Sequence, residues 1–427
     1  MIRILEYAQC AEEILKRGVQ KTDPDVEQAG AEILRDVQAN GDNALLAYTK
    51  KFDKADLETL AVNEQEIDEA VASVEPAFLQ ILQEARERIR TFHENQKRSG
   101  FVLTGPRGEV LGQRVIPMER VGLYVPGGTA AYPSSVLMNC IPAQIAGVGE
   151  IVMVTPPGAD GKISPAILAA AKIGGVQKIF KVGGAQAVAA LAYGTESVPR
   201  VDKIVGPGNR YVAEAKRQVF GTVAIDMIAG PSEILVIADG ASDPVYVAAD
   251  LLSQAEHDVC ASAVLVTDSR ELAQQVAKEL ERQIPLLSRQ DIARKSIDAN
   301  GKIILADSIR QAVEISNALA PEHLEICTEA PFDFLGLVKH AGSVFLGRYC
   351  PEALGDYFAG PNHTLPTSGT ARFSSPLSVD DFVKKTQFTY YTKEALASVY
   401  EKVGYFADQE GLGAHAKSAR VRFTEKQ

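Results

Sequence analysis

Long apolar runs are missing from the 427-residue sequence, and so are runs of lysine and arginine. No apolar stretch approaches the roughly 20 residues of a membrane span, and residues 1–6 lack the apolar core of a signal peptide. Aspartate and glutamate outnumber lysine and arginine by 55 to 44, which gives a net charge of -11. These absences argue against a membrane protein and against binding to nucleic acid.

Cysteine is scarce as well. The five cysteines are scattered and form no C-x-x-C pair, so the sequence contains neither a zinc ribbon nor a thioredoxin-like motif. Such a set indicates reduced, mostly buried thiols, and together with the missing signal peptide it predicts a cytoplasmic protein. With 46% apolar and 23% charged residues, the composition is otherwise that of an ordinary globular protein.

Two kinds of pattern divide the chain. The first hundred residues have the apolar spacing of helices, which begin near Asp23 and again near Glu64. From Gly112, short apolar runs alternate with helical segments, which predicts βαβ units and parallel sheets. The predicted strands are 120–125, 151–154, 178–182, 203–205, 233–237, 263–266, 302–305 and 324–326. We therefore expect two α/β units that meet near Gly230, followed by a helical tail beyond Val379.

The usual nucleotide and nucleophile fingerprints are also absent. The sequence contains no G-x-G-x-x-G, phosphate-binding-loop or G-x-S-x-G pattern, and the last absence disfavours a serine nucleophile. Three glycine-rich turns nevertheless follow predicted strands, at Tyr124–Gly128, Gly183–Gln186 and Gly206–Asn209. Open α/β sheets bind ligands at the carboxyl ends of their strands, where these turns lie. One such turn could be only a tight connection, but the three together favour a dinucleotide site.

Four of the six histidines lie beside carboxylates in short polar clusters. Histidine is a frequent metal ligand and the usual proton shuttle near neutral pH, so these clusters are candidates for a functional site. They are Ser253–Asp258, Pro321–Leu324, Gly355–His363 and Glu410–His415. Only His93 and His340 fall outside them.

One interpretation joins these clusters in a metal site. Gln254 and His257 are three residues apart at the end of a predicted helix, where both side chains would share one face. With Asp356 in a glycine-rich loop and His415 in the tail, they would form a set of nitrogen and oxygen ligands suited to zinc. The competing interpretation is that a Gln-x-x-His pair is an ordinary feature of a helix.

Two further positions allow a functional and a structural interpretation. Glu322 and His323 are adjacent before a predicted strand, which suits a general acid/base pair. They could equally be a surface glutamate beside a partly buried histidine. Ser232 lies at the junction of the two α/β units, where it could bind a polar ligand group or simply cap a turn. Local spacing leaves these alternatives open.

Taken in order, the segments resemble the histidinol dehydrogenase family from about Asp25 to Arg422. The resemblance is carried by Val121–Gly128, Gly183–Gly194, Val201–Asn209, Ile225–Glu233, Ser253–Asp258, Pro321–Leu324, Gly355–Thr370 and Glu410–His415. It implies an enzyme that oxidises L-histidinol to L-histidine in two NAD-dependent steps through bound L-histidinaldehyde, the last step of histidine biosynthesis.

The resemblance also implies roles for single residues. The implied zinc ligands are Gln254, His257, Asp356 and His415. The implied acid/base pair is Glu322 and His323. The substrate-contacting positions are Ser232, His363 and Glu410, together with His323 and the zinc ligands. The implied NAD contacts are Tyr124, Gln186 and Asn209.

The implied fold is α/β, with two incomplete Rossmann-like, aldehyde-dehydrogenase-like parallel-sheet domains plus helical N-terminal and C-terminal segments. We expect an N-terminal segment over 1–22, a zinc and substrate domain over 23–120 and 231–378, and an NAD-binding domain over 121–230. A tail over 379–427 would contact the partner subunit. The implied assembly is a homodimer with shared active sites and one zinc ion per subunit.

Two other functions fit parts of the pattern. A zinc-dependent hydrolase would explain the metal-type clusters beside a glutamate and the missing dinucleotide fingerprint. A non-catalytic metabolite-binding protein would explain only the two α/β units. If the protein binds NAD, the hydrolase is disfavoured. If it has a turnover that a chelator abolishes and added zinc restores, it is not a mere binding protein.

Overall fold

The computed structural model describes residues 2–15, 23–127 and 131–424, and the chain forms two compact units. The first unit comprises residues 1–96 and 118–382, and the second comprises residues 97–117 and 383–427. Both parallel sheets belong to the first unit, whereas the second contains an antiparallel sheet. Residues 16–22 of the expected N-terminal segment and residues 425–427 of the expected tail lie outside the described residues.

The elements are numbered in chain order. The strands are β1 (Arg3–Glu6), β2 (Phe101–Thr104), β3 (Val110–Pro117), β4 (Arg120–Tyr124), β5 (Glu150–Thr155), β6 (Lys178–Lys181), β7 (Lys203–Val205), β8 (Ala224–Ile225), β9 (Glu233–Ala238), β10 (Ser262–Thr267), β11 (Lys302–Leu305), β12 (His323–Cys327), β13 (Ser343–Leu346) and β14 (Val383–Tyr390). The helices are α1 (Tyr7–Leu15), α2 (Pro24–Phe52), α3 (Glu64–Ser73), α4 (Pro76–Glu94), α5 (Pro133–Ala146), α6 (Pro165–Gly174), α7 (Gly184–Tyr193), α8 (Arg210–Val219), α9 (Pro244–Ala255), α10 (Arg270–Gln283), α11 (Gln290–Asn300), α12 (Ile309–Leu319), α13 (Phe332–Leu335), α14 (Glu352–Tyr357), α15 (Lys393–Ala397), α16 (Tyr400–Gln409) and α17 (Gly413–Arg420). Within the described residues, no helix has the length and apolar character that a membrane crossing requires.

The five-stranded sheet has the order β6-β5-β4-β7-β8, and all its strands are parallel. Strands β4 and β5 are almost completely buried because helices cover both faces of the sheet. Helices α2, α7 and α8 pack in the core on one face, and α4, α5 and α6 pack in the core on the other. Four of its strands were predicted from their apolar runs, so this parallel sheet is confirmed.

The six-stranded sheet has the order β1-β11-β10-β9-β12-β13 and is also parallel throughout. Strands β9 to β12 were predicted, and the second parallel α/β unit is confirmed. The two edge strands were not predicted. Strand β1 pairs with β11, with Arg3 opposite Lys302, although helix was expected in the N-terminal segment. Most residues of both edge strands are not buried, unlike those of β9 to β12, so these strands have a weaker apolar signal.

The helices before residue 95 pack on the five-stranded sheet. Leu45 of α2 lies in one core of that sheet, and Ile89 of α4 lies in the other. The expected domains instead group residues 23–120 with the six-stranded sheet. The change of sheet near Gly230 is present, since β8 ends at Ile225 and β9 begins at Glu233. The expected zinc and NAD-binding domain boundaries stay a prediction.

The second unit is built on an antiparallel sheet of order β14-β3-β2. Helices α15, α16 and α17 agree with the helical tail expected beyond Val379, but Val383–Tyr390 forms a strand. Threonine and aromatic residues at Thr386, Phe388 and Tyr390 favour a strand, and pairing with β3 adds the hydrogen bonds that a helix would otherwise supply. Strand β3 begins at Val110, so the expected start of the α/β pattern at Gly112 falls inside this unit.

Candidate active site

A cavity of about 470 Å³ lies at the carboxyl ends of the five-stranded sheet. It is lined by Tyr124 at the end of β4, by Gln186 in α7 and by Asn209, the N-cap residue of α8. The three predicted NAD contacts therefore share one cavity, at the edge where open α/β sheets bind ligands. The volume is within the roughly 300–1,000 Å³ of small-molecule sites. Gly128 of the first glycine turn lies outside the described residues.

Backbone geometry explains two glycines beside this cavity. Gly206 has a φ of +112°, and a Cβ there would lie 2.1 Å from the carbonyl oxygen of Tyr124, so only glycine fits. Gly184 has a φ of 68° and donates its N–H to the Tyr124 hydroxyl at 3.0 Å. Asn209 Oδ1 accepts backbone N–H groups two and three residues ahead, at 3.0 and 3.2 Å, which starts α8. The turns thus hold the predicted NAD contacts in fixed positions.

The polar atoms of this cavity are suited to a ligand with hydrogen-bond donors. Gln186 is 1% exposed, and its Oε1 is buried without a hydrogen-bond partner. An unpaired buried acceptor costs roughly 1–3 kcal/mol, which a ligand donor can recover. Burial raises the pKa of Tyr124 to about 12, so its hydroxyl stays protonated at neutral pH. A dinucleotide, with its ribose hydroxyls and amide groups, fits these atoms.

A second group of polar side chains lies at the amino ends of β9 and β12 in the six-stranded sheet. These strands are parallel neighbours, with His323 opposite Ile234, so the residues that precede this pair come side by side. Glu322 Oε2 accepts the Glu233 N–H at 2.8 Å, and the Glu233 carbonyl oxygen lies 3.0 Å from His323 Nδ1. Ser232, which is half-buried, precedes β9 at the same edge.

His323 is buried, and the backbone sets the orientation of its ring. Because a carbonyl can only accept, the 3.0 Å contact assigns the proton to Nδ1 and leaves the lone pair on Nε2. Nε2 is buried without a hydrogen-bond partner and lies 3.8 Å from Glu352 Oε1. Burial lowers the pKa of His323, and the Glu352 charge opposes this shift in part. The neutral ring therefore directs a basic nitrogen towards the carboxylates.

Glu352 and Asp356 lie one turn apart on α14, next to His323. One potential ligand atom from each of these three residues lies within 4.8 Å of the others. Gln254 Nε2 is 3.3 Å from His323 Nδ1, and the Oε1 atoms of Gln254 and Glu352 are buried without hydrogen-bond partners. Burial raises the pKa of Glu352 to about 7 and that of Asp356 to about 6. Unpaired nitrogen and oxygen donors arranged in this way fit a divalent metal ion.

His363 stands beside this cluster. Its Nδ1 lies 3.1 Å from the carbonyl oxygen of Asp356, and its Nε2 lies 3.3 Å from Ser135 Oγ. Burial lowers the pKa of His363 to about 4, so the ring is neutral at physiological pH. Ser135 belongs to α5, a helix of the five-stranded sheet, and His363 therefore connects the cluster to that part of the first unit.

The structure brings five of the predicted site residues together: Gln254, Glu322, His323, Asp356 and His363. Gln254 and Glu322 contact His323, His363 contacts Asp356, and potential ligand atoms of His323 and Asp356 lie within 4.8 Å of each other. His257 is placed differently. Helix α9 ends two residues before it, and His257 is exposed whereas Gln254 is buried, so the expected shared helix face is wrong. His257 nevertheless lines a cavity together with Tyr357, the last residue of α14, which places it near the cluster.

The remaining predicted residues, Glu410 and His415, lie in the second unit. Glu410 follows α16, His415 is in α17, and both are exposed. The group of three potential metal ligands among the described residues contains neither of them.

Two buried carboxylates of the site were not predicted. The segment around Asp356 was expected to be a loop but forms α14, and the spacing of four then places Glu352 and Asp356 on one helix face. Glu325 is 1% exposed, and its Oε1 accepts the Glu352 N–H at 2.7 Å, which anchors the start of α14. A charged residue between the apolar Leu324 and Ile326 of a predicted strand is a signal that could have revealed it.

Three comparisons with known proteins agree with this geometry. The family model described as Histidinol dehydrogenase matches residues 15–423. Histidinol dehydrogenase of Bacillus thuringiensis subsp. konkukian is 56% identical over 414 residues, which cover 97% of this chain and 96% of that protein. The Clostridium acetobutylicum protein of the same name is 56% identical over 391 residues, covering 92% and 91%. A crystal structure of histidinol dehydrogenase from Elizabethkingia anophelis matches with a TM-score of 0.93 and 40% identity, over 99% of this chain and 98% of that chain.

Proposed function

Because this chain belongs to the histidinol dehydrogenase family, we propose that it oxidises L-histidinol to L-histidine in two NAD-dependent steps through L-histidinaldehyde. The proposed reaction removes four electrons, requires zinc and completes histidine biosynthesis in the cytoplasm. The observation that carries the proposal is the buried cluster in which Glu322, His323 and Asp356 meet, since it combines an acid/base pair with metal-type ligands.

We assign the zinc ion to Gln254, His257 and Asp356, with His415 supplied by a second copy of the chain. The buried, unpartnered Oε1 of Gln254 supports this assignment, as does the position of Asp356 among potential ligands. When bound, zinc holds and orients the imidazole and amino nitrogens of histidinol without taking part in redox chemistry. Glu352 adds a carboxylate beside this set that the resemblance did not imply.

His323 is the proton carrier in this proposal. The histidinol hydroxyl must lose its proton as its carbon loses hydride, for which NAD supplies the acceptor. His323 Nε2 can take that proton because its lone pair is free and the other ring nitrogen already donates to a backbone carbonyl. The protonated ring then lies 3.8 Å from Glu352 Oε1, which stabilises its positive charge. After this proton has passed to solvent, the neutral ring can accept the proton of the second oxidation.

Glu322 activates the water that hydrates the aldehyde. Its Oε2 is held by the Glu233 N–H at 2.8 Å and lies 3.7 Å from His323 Nδ1. Burial raises the pKa of Glu322 well above its usual range, which makes its carboxylate a stronger base. Burial also raises the pKa of Cys327, at the other end of β12. That thiol is therefore a poor source of the thiolate that a thiohemiacetal route would need.

The remaining assignments concern binding. Ser232 and His363 contact the substrate, in accordance with their places at the edge of β9 and beside Asp356. Glu410 is assigned the same role from a second copy of the chain. Tyr124, Gln186 and Asn209 bind NAD, and their common cavity with its unpaired Gln186 Oε1 supports this role.

We further propose a homodimer whose active sites are shared. The second unit exposes large apolar side chains, among them Val102 at 62%, Tyr405 at 65% and Phe406 at 67%. Exposed apolar residues of this size are typical of protein interfaces. His415 and Glu410 lie in the same unit, so its docking on another copy would deliver both.

The reaction is tested by counting NADH for each histidine formed from histidinol, with and without a chelator. We expect two NADH per histidine, a turnover that chelation abolishes, and its return when zinc is added. A ratio of one, or no histidine, contradicts the four-electron reaction. Activity without NAD would instead support a zinc hydrolase.

Shared sites are tested by mixing two inactive variants. A His415→Ala chain and a His323→Ala chain, combined and allowed to exchange subunits, should regain activity because one site of each mixed dimer is intact. Each variant mixed with itself is the control. A chain truncated before Glu410 should fold yet bind zinc poorly, and tight stoichiometric zinc binding by that chain would refute the shared site.

A further inference from the structure

The cavity of the five-stranded sheet contains a carboxylate that no assigned role uses. Asp53 directly follows α2 and lines the cavity together with Tyr124 and Gln186. Its backbone N–H donates to the carbonyl oxygen of Thr49 at 2.9 Å, which holds the residue at the end of the helix. The next residue, Lys54, has a φ of 62°, a conformation that non-glycine residues rarely adopt. The backbone therefore keeps Asp53 at a defined place in the cavity wall.

The Asp53 carboxyl group is incompletely paired. Its Oδ2 atom is buried without a hydrogen-bond partner, like Oε1 of Gln186 in the same cavity. Burial raises the pKa of Asp53 to about 6, so the group is charged at neutral pH although it is poorly solvated. Two unpaired acceptors favour a ligand that brings donors, such as the hydroxyl groups of a ribose.

Aromatic side chains indicate which part of a dinucleotide lies near Asp53. Phe52 and Tyr211 both line the cavity and are 50% and 36% exposed. Phe52 already stacks on Tyr48, with ring centroids 5.7 Å apart, and the exposed parts of the Phe52 and Tyr211 rings offer surfaces on which a base can stack. Phe52 and Asp53 line the same cavity, so a base stacked on Phe52 can place its own ribose near the carboxylate.

The charges of the cavity lining oppose the additional 2′-phosphate that distinguishes NADP from NAD. No lysine or arginine is among the described residues that line it. Lys50 Nζ pairs with Asp56 at 2.7 Å, and Lys54 Nζ donates to the carbonyl oxygen of Lys51 at 2.8 Å, so neither amino group is unpaired. Lys51 Nζ and the Arg210 guanidinium lie over the rings of Phe52 and Tyr211, 5.1 and 5.2 Å from the ring centroids, but neither residue lines the cavity. A phosphate placed beside the Asp53 carboxylate would therefore meet a like charge in the cavity wall and no lining cation among the described residues.

We infer that Asp53 makes the cavity select NAD over NADP, by accepting a hydrogen bond from the 2′-hydroxyl of the adenosine ribose and by repelling a 2′-phosphate. An acidic residue has this function in other α/β nucleotide sites, where it occupies a different place in the chain. The inference rests on the proposed use of NAD and adds the residue that determines cofactor choice.

Calorimetric dissociation constants for NAD and NADP test this role in the full-length protein. Asp53→Asn should weaken NAD binding by roughly 10-fold, because it removes a charged acceptor, and should leave NADP binding unchanged or stronger. The ratio of the two constants should therefore narrow by at least about 10-fold. Asp56→Asn is the matched control, since it removes the same charge from an exposed residue three positions away, and it should leave the ratio unchanged.

The outcomes separate this inference from the proposed function. If the wild-type protein binds neither nucleotide, the proposed use of NAD fails. If it binds NAD but Asp53→Asn keeps the wild-type ratio, the role of Asp53 is overturned. Asp53→Glu provides a second measurement should the asparagine variant not fold. This variant keeps the negative charge but moves it, so it should weaken NAD binding while NADP stays disfavoured. Loss of the preference for NAD over NADP in Asp53→Glu would contradict the charge argument.

Discussion

The two parallel sheets carry their candidate sites at opposite ends of their strands. In the five-stranded sheet, the cavity lies where β4 ends, at Tyr124. In the six-stranded sheet, the carboxylate and imidazole cluster lies where β9 and β12 begin, at Glu233 and His323. The first position follows the general rule for open α/β sheets, and the second does not. Fold geometry alone therefore locates one site, whereas side-chain chemistry is needed to locate the other.

The carboxyl end of the six-stranded sheet shows why the rule fails there. Between the ends of β9 and β12, Asp239 pairs with Arg348 at 3.0 Å. Ser242 Oγ donates to the carbonyl oxygen of Cys327, the last residue of β12. Several polar groups at this edge are thus used within the protein itself. Buried atoms without a hydrogen-bond partner occur at both edges, on Thr328 and Arg348 at the carboxyl end and on Gln254 and Glu352 at the amino end. Among the described residues, however, the group of three potential metal ligands lies at the amino end.

The largest expected effect is a loss of turnover that leaves NAD binding unchanged, which would show that the two sheets carry sites with different functions. His323→Asn should lower kcat by about 10²–10⁴, the usual contribution of a positioned acid or base, because no basic nitrogen remains. NAD binding should not change, since His323 does not line the cavity of the five-stranded sheet, which is the proposed NAD site. Turnover of histidinol and calorimetry with NAD measure the two effects. His340→Asn, a histidine outside every cluster, is the control, and a near-wild-type rate for His323→Asn would show that its role is misassigned.

A smaller effect should reveal the carboxylate that the sequence did not indicate. Glu352→Gln should weaken metal binding by about 10–100-fold, the usual cost of losing a partner close to a metal site. Competition with a zinc-sensitive dye measures the affinity. Glu329→Gln is the matched control because Glu329 is exposed near the carboxyl end of β12, at the opposite edge of the same sheet. Equal metal affinity in both variants would exclude Glu352 from the site.

A substitution in the five-stranded sheet should affect NAD binding and leave metal binding unchanged. Gln186→Ala should raise the NAD dissociation constant by about 10-fold, since it removes a buried acceptor that a ligand donor satisfies. Metal affinity should remain that of the wild type. Gln275→Ala, on the exposed face of α10, controls for the loss of a glutamine. A fall in metal affinity with Gln186→Ala would mean that the two sites are not independent.

The sequence predicted the central strands of both sheets and the edge strand β6, but it missed the edge strands β1, β8 and β13. Strands β5 and β10 are continuous apolar runs between helical patterns, which is a strong local signal. Most residues of β1 and β13 are not buried, and β14 belongs to an antiparallel sheet that forms with a segment about 270 residues earlier in the chain. Pairing over such distances is determined by tertiary contacts, which local periodicity does not contain.

The site was predictable only in part for the same reason. The contact between Glu233 and His323 depends on the register of β9 against β12, which are about 90 residues apart. No spacing rule gives that register, and the resemblance to a family was needed to assign Glu322 and His323. The pair Gln254 and His257 shows the converse, because its helical spacing was clear but α9 ends before His257. Local patterns thus suggested residue types, and the fold decided which of them meet.

The smallest expected effect compares the pH dependence of the two sites in the metal-free, NAD-free protein. Burial raises the pKa of Glu352 to about 7, so the folded protein holds this proton more tightly than the unfolded chain. The stability linked to it is complete below about pH 4 and is lost as the pH rises through about 7. Glu352→Gln imitates the protonated form, so it should resemble the wild type at pH 5 and be more stable at pH 7.5.

The expected difference is a rise of a few degrees in the thermal midpoint of Glu352→Gln over the wild type at pH 7.5, and little at pH 5. Asp53→Asn in the NAD cavity should show the same sign with a smaller rise, because Asp53 is more exposed and burial raises its pKa only to about 6. Glu329→Gln, which removes an exposed carboxyl group near β12, is the control. A midpoint difference that is the same at both pH values for Glu352→Gln would mean that its carboxyl group is not destabilised by ionisation. In that case the two candidate sites would not differ in how strongly burial opposes the ionisation of their carboxyl groups.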